Sequence, residues 1–203
     1  MVTARELSLA EIREIRAHIP EEMEIESFIH GAMCISYSGR CSAFQFLTGR
    51  DANRGACTHP CRWKYSLVEE TRPGEYMPVY ENERGTYIFN SKDLCMIEHM
   101  DDVLEAGIDS LKIEGRMKQP GYTAGVTKVY RKYLDLLFEK GPDNYKVEEK
   151  DRQYLLDLFN RGGSCTGYYQ MQNGPDMMAF TNEKKTGNVT CAPVQKKEKI
   201  RAV

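Results

Sequence analysis

Five of the seven cysteines in this 203-residue chain fall at Cys34, Cys41, Cys57, Cys61 and Cys95, while Cys165 and Cys191 stand far downstream. An odd number of cysteines, in a chain whose start lacks the basic-then-apolar layout of an export signal, argues against a disulfide framework. It argues for metal binding or catalysis in a reducing, cytoplasmic setting. Zinc ribbons and fingers use two tight Cys-x2-4-Cys knuckles, and only Cys57 and Cys61 are that close. Widely spaced thiolates drawn from several loops suit an iron–sulfur cluster, which takes four cysteines and imposes no local turn on them. Spacing alone leaves Cys57 and Cys61 interchangeable.

The charge around these thiols is unusual for the chain. Between Arg40 and Lys64 stand five basic residues, Arg40, Arg50, Arg54, Arg62 and Lys64, against one acidic residue, Asp51, in a chain of net charge -2. A cationic mouth of this kind attracts a phosphate backbone or a small carboxylate, and it offsets the negative charge of a thiolate-ligated cluster. Arg50, Arg54, Arg62, Lys92 and Asp93 are therefore the candidate substrate-binding residues. Trp63 and Tyr65 interleave with Arg62 and Lys64, a pattern that serves base stacking and core packing equally well. Lys112 and Glu114 lie two apart on a strand and so share a face. With Arg116 they are the candidate catalytic residues, Glu114 to move a proton and Arg116 to clamp a carboxylate. The four histidines form no helical zinc-protease motif and no Gly-x-Ser-x-Gly elbow occurs. A peptidase would have to use Cys57 or Cys61 activated by His59. A non-catalytic metal-binding module is the third class, and it leaves the charged residues beside the strand ends unexplained.

Short elements must position these groups. Ser8-Leu9-Ala10-Glu11 reads as a capping box opening a helix that ends near Pro20. Glu24–Ile29 reads as a strand delivering His30 to Cys34 into a loop. Tyr87–Phe89 reads as a second strand and Asn90–Asp93 as turn and cap for a helix over Leu94–Ala106, stopped by Gly107. Ser110–Ile113 returns as a third strand. A long helix follows Pro120 and stops before Gly141, with Tyr122, Val126, Val129, Tyr130, Tyr133, Leu134 and Leu137 as a core stripe. A last helix, Val147–Asn160, buries Tyr154, Leu155, Leu158 and Phe159. Strands alternating with helices predict an α/β fold of parallel βαβ units. About three strands are too few to be covered on both faces, so the chain reads as the C-terminal part of a TIM-like β/α barrel with parallel strands, followed by helices and a short irregular tail. The expected divisions are 1–140 for the partial barrel with its cysteine-rich region, 141–182 for a helical extension, and 183–203 for a basic tail. No stretch approaches eighteen consecutive apolar residues, so no membrane span is expected.

The run from Glu26-Ser27-Phe28-Ile29-His30-Gly31-Ala32-Met33-Cys34 through Ser38-Gly39-Arg40-Cys41 closely resembles the signature of the collagenase-like peptidase family. Gly49–Gly55, Cys57–Trp63, Asn90–Cys95 and Lys112–Lys118 extend the resemblance, which covers Arg5 to about Gly167. Despite the family's name, the resemblance implies an oxygen-independent hydroxylase carrying a 4Fe-4S cluster. The branch it is most similar to hydroxylates the wobble uridine of tRNA with prephenate as hydroxyl source, and relatives act on ribosomal RNA or quinone precursors. By family pattern the ligands would be Cys34, Cys41, Cys57 and Cys95, with Cys61 a neighbour. Ser42-Ala43-Phe44 departs mildly from the family pattern after Cys41. Members also carry barrel strands upstream of the part matched by Arg5 onward, which a complementing chain could supply.

Overall fold

The computed structural model describes residues 1–41, 47–49, 56–62, 66–68, 71, 74, 76–78, 90–115, 118–170 and 177–179. Among these are strands β1 (Glu26–Ala32), β2 (Ser66–Val68), β3 (Tyr76–Pro78), β4 (Asp93–Cys95), β5 (Ser110–Glu114) and β6 (Ser164–Cys165). The helices are α1 (Leu9–His18), α2 (Met100–Glu105), α3 (Pro120–Lys140) and α4 (Glu149–Leu158). β2 and β3 form a small antiparallel ladder, and the other four strands form one sheet in the order β5-β1-β4-β6.

Local signals account for the helices. The Ser8 hydroxyl accepts the Glu11 N–H while Glu11 accepts the Ser8 N–H at 2.7 Å, so α1 begins with a complete capping box. α3 has Pro at its first turn and stops at Gly141, whose φ of 73° a side-chain-bearing residue adopts with difficulty. Its stripe of Tyr122, Val126, Val129, Tyr130, Tyr133 and Leu137 is buried as expected. Tyr154 is not: it remains 43% exposed, because α4 crosses α3 closely at Gly125 and the Tyr154 hydroxyl lies over that glycine instead of beneath the helix.

The sheet corrects three expectations. β1 runs on through His30, Gly31 and Ala32, which pair with β4 on one side, while His30 and Gly31 also pair with β5 on the other. Asp93 does not cap a helix but heads β4, and helix starts only at Met100 after a 3-10 turn over Ile97–His99. Hydrogen bonding to β1 and β6 on both sides overrides the local helical spacing of Leu94, Ile97 and Val103. The sheet is also mixed. β1 is parallel to β5 and antiparallel to β4, while β4 is parallel to β6. The strand expected at Tyr87–Phe89 and the tail at 183–203 lie outside the described residues.

A buried tyrosine locks β1 to β4 from the helix side. The Tyr130 hydroxyl donates to the Ile29 carbonyl at 3.0 Å, accepts the Met96 N–H at 3.1 Å and lies 3.3 Å from Nδ1 of His30. At the other edge Gly31, with φ 110°, lets β1 meet β5. A Cβ there would stand 2.4 Å from the Glu114 carbonyl oxygen. We predict that Gly31→Ala costs about 2–4 kcal/mol by urea unfolding, combining backbone strain with a backbone clash. Gly163→Ala, at a φ of 107° with nothing within 4 Å of the new Cβ, shows the strain alone and costs about 1 kcal/mol.

Candidate functional site

Three chain segments bring thiols together beyond the end of β1. Cys34 lies two residues past the strand, and Cys41 follows the turn in which the Arg40 N–H bonds to the Tyr37 carbonyl. Cys57 and Cys61 flank a tight turn built on His59, whose φ of 58° is uncommon for any residue but glycine. The His59 N–H donates to Sγ of Cys57 at 3.4 Å, and its carbonyl accepts the Arg62 N–H at 3.0 Å. Burial pushes the Cys34 thiol up and so does negative charge on Cys41 and Cys57, against the pull of the Ser36 N–H and Arg5. Cys61 is pushed up to about 11, again by burial first, and feels Cys34, Cys57 and Cys41. These four thiols therefore occupy one electrostatic neighbourhood.

Cys95 stands apart from them. It ends β4, its Sγ lies 3.8 Å from the Tyr130 hydroxyl, and the thiol whose charge acts on it is Cys165, on the adjoining β6. The donor chemistry of Cys34, Cys41, Cys57 and Cys61 fits an iron–sulfur cluster: soft thiols from several loops beside the cations Arg5 and Arg62. Among the described residues, no three His, Cys, Asp or Glu side chains stand at metal-holding separations.

Arg62 fastens the cysteine turn to the sheet. It is buried and donates from Nη2 to the Met33 carbonyl at 2.9 Å, and from Nη1 to Oδ1 of Asn90 at 2.8 Å and the Ser91 carbonyl at 3.4 Å. A residue read from sequence as substrate-binding thus turns its guanidinium on three acceptors at the end of β1 and the lead into β4, and its buried Nε has no hydrogen-bond partner.

The other charged candidates fall into two groups. On one face of β1 and β5, Lys112 bonds to Glu26 at 2.5 Å, Arg5 bonds to Glu114 at 3.2 Å, and both cations lie over the Phe28 ring. Lys112 and Glu114 do share a face, each already ion-paired. At the head of β4, Asp93 is buried against Arg161, with its second oxygen, Oδ2, unpartnered. The half-buried Lys92 holds the Met177 carbonyl through its N–H at 2.8 Å. Arg50, Arg54 and Arg116 lie outside the described residues. Sequence reading missed Lys118 and Arg161, which stand on the ring of Phe159 with Nζ at 2.7 Å and Cζ at 4.6 Å from its centre. The alternation Glu114, Arg116, Lys118 was the available signal for the first. Arg161, beyond the last helix, had none.

Comparison with known proteins decides the family. The model of Peptidase family U32 matches residues 1–179. The chain belongs to that family. Among relatives in it, the chain is 41% identical over 185 residues to the tRNA hydroxylation protein P1 of Bacillus subtilis, covering 91% of this chain and 43% of that protein. It is 40% identical over 172 residues to an uncharacterised protease of Methanocaldococcus jannaschii, covering 83% and 40%. It is 34% identical over 192 residues to a 23S rRNA 5-hydroxycytidine synthase of Escherichia coli, covering 92% and 28%. The chain therefore spans less than half the length of these U32 relatives. No solved structure matches.

The Arg62 tie generates a measurable expectation. Arg62→Met removes three charge-assisted hydrogen bonds, about 1.5–3 kcal/mol each, so the Pro60–Arg62 turn detaches before the sheet unfolds. Iodoacetamide labelling read site by site by mass spectrometry will show Cys57 and Cys61 reacting several-fold faster, with Cys95 unchanged.

Proposed function

We propose that this chain is the cluster-bearing part of an oxygen-independent RNA hydroxylase acting on tRNA. Two observations support the reading: relatives 41% and 34% identical to this chain are named for hydroxylation of tRNA and rRNA, and four thiols share one electrostatic neighbourhood beyond β1. The first carries it, and the second favours a cofactor-bearing site over a cysteine peptidase, which needs one thiol and one histidine. A 4Fe-4S cluster held by Cys34, Cys41 and Cys57, with Cys61 or Cys95 as fourth ligand, would supply one-electron chemistry there. The protein's own residues would do the rest. Arg5 and Arg62 would offset the cluster's charge, Glu114 at the end of β5 would stand at the mouth, and the flanking basic residues would receive the RNA backbone; Lys112, turned to Glu26 at the start of β1, would hold the strand pair instead. β1 and β5, parallel and adjacent, would be neighbouring strands of a β/α barrel. Prephenate, as hydroxyl source, would need a carboxylate-binding surface close to the thiols.

Anaerobic reconstitution followed by iron, zinc and acid-labile sulfide analysis tests the cofactor. About four iron and four sulfide per chain are expected, lost in Cys34→Ala, Cys41→Ala and Cys57→Ala. Comparing Cys61→Ala with Cys95→Ala then identifies the fourth ligand, and one zinc, or no metal, sinks the reading. For the activity, tRNA from a strain deleted for the gene should lack wobble-uridine hydroxylation by nucleoside mass spectrometry. Unchanged hydroxylation, together with casein hydrolysis by metal-free protein, would favour the peptidase.

A further inference from the structure

Between Cys34 and Cys41 the chain turns an aromatic ring into solvent. Tyr122, Tyr130, Tyr133 and Tyr169 are buried in the core, whereas Tyr37 is 69% exposed and Ile35, two residues before it, 38% exposed. An exposed apolar side chain by itself marks nothing, because much of any protein surface is apolar. Tyr37 differs in that its backbone is held from two sides. The Arg40 N–H donates to the Tyr37 carbonyl at 3.0 Å, closing a turn in which Gly39 supplies a positive φ of 78°. The Ser38 N–H donates to the carboxylate of Glu6 in the lead into α1. Arg5, the residue before Glu6, acts on the Cys34 thiol, so the same segment braces the loop and reaches the thiols.

The turn also fixes what stands beside the ring. Tyr37 and Arg40, its first and last residues, have Cα atoms within about 7 Å of each other, and Arg40 is exposed as well. Tyr37 is three residues from Cys34, so the two Cα atoms are within about 11 Å by chain length alone. An exposed ring and an exposed guanidinium on one braced turn are complementary to an unpaired nucleotide, whose base offers a flat face to the ring and whose phosphate offers a charge to the arginine. A protein partner suits them less. Arg40 opens a segment that carries five basic residues and one acidic residue as far as Lys64, and such an excess of positive charge favours a polyanion.

We propose that Tyr37 is a stacking platform for an unpaired base of an RNA loop, with Arg40 on the phosphate beside it and Ile35 extending the apolar surface. The RNA strand then passes over the loop that joins Cys34 to Cys41. A duplex keeps its bases paired and stacked on one another, so it gains nothing from this platform. The inference rests on the proposed function for the RNA and adds to it the residues that meet the base.

Fluorescence anisotropy of the full chain with two labelled RNAs, an anticodon stem-loop and a blunt duplex of the same stem, tests this. Tyr37→Ala is expected to raise the stem-loop dissociation constant about 5- to 100-fold, the range that base–aromatic stacking spans, and to change duplex binding by less than about twofold. Tyr37→Phe and Tyr37→Trp keep a ring and should stay within about twofold of the parent. A loss in Tyr37→Phe equal to that in Tyr37→Ala overturns stacking in favour of the hydroxyl. Arg40→Gln should lower the slope of log affinity against log salt by about 0.7, the share of one single-strand phosphate, while Tyr37→Ala leaves the slope as it is; an unchanged slope overturns the part given to Arg40. With 2-aminopurine at each loop position in turn, one position should be quenched on the parent and bright on Tyr37→Ala. Unchanged stem-loop affinity in a folded Tyr37→Ala, or no binding of either RNA by the parent, overturns the platform. Self-association of the parent that is lost in Tyr37→Ala, with RNA affinity unchanged, overturns it too and assigns the ring to a contact between copies. The platform and the hydroxylase reading fail separately: stem-loop binding that depends on Tyr37, with wobble-uridine hydroxylation unchanged in the deleted strain, keeps the platform and rejects the hydroxylase.

Discussion

A buried guanidinium without a carboxylate holds this site together. Arg62 reaches the end of β1 at Met33, and Asn90 and Ser91 before β4, from a turn that carries Cys57 and Cys61. Charge-assisted hydrogen bonds to neutral acceptors are stronger than ordinary ones and are lost as a set when the cation leaves. Ser91 reinforces the same junction by donating to the Met33 carbonyl at 3.1 Å. The approach of the Cys57–Cys61 turn to Cys34 is therefore fixed by a donor fork fitted to three acceptors, and the sheet below must present those acceptors in register.

That register is set by the antiparallel pairing of β1 with β4, a feature a purely parallel reading would not contain. His30 faces Cys95 and Ala32 faces Asp93, so the residues leaving β1 toward the thiols and those entering β4 from Asn90 come from the same end of the sheet. Tyr130 clamps the pair from α3 through Ile29 and Met96. The short segment at Met177–Ala179 secures the lead-in, with the Ala179 N–H on the Asn90 carbonyl at 2.7 Å and a bridge between Ser91 and Met178. Chain segments nearly ninety residues apart thus set where Asp93 and Arg62 stand.

Elements whose causes are local were legible in the sequence. The capping box at Ser8 and Glu11, the proline-to-glycine span of α3, the stop at Gly107 and the strand at Ser110 needed only their own residues. β4 was misread because its cause is distant. Leu94, Ile97 and Val103 carry helical spacing, and only the partners β1 and β6 make Asp93–Cys95 a strand. The exposure of Tyr154 depends in the same way on a crossing at Gly125 that no pattern within α4 announces. For the site, residue types and spacing pointed to clustered thiols and a cationic mouth. They could not show that Arg62 faces inward, that Cys61 shares the Cys34 neighbourhood, or that Arg161 returns from beyond the last helix to Asp93.

The order in which charge enters the site follows from these contacts. Burial favours the protonated thiols of Cys34 and Cys61, so binding a metal through them would release protons and add negative charge. The cations that would answer it do not have to be recruited. Arg62 is fixed by backbone and amide acceptors, Arg161 by Asp93, and Arg5 by Glu114 and the face of Phe28. None of these partners is a cysteine, so the positive field is built by the fold independently of the thiols. A field held in place by groups outside the thiol set loses nothing to reorganisation when charge appears, which is the condition under which fixed dipoles and charges act most strongly on chemistry beside them.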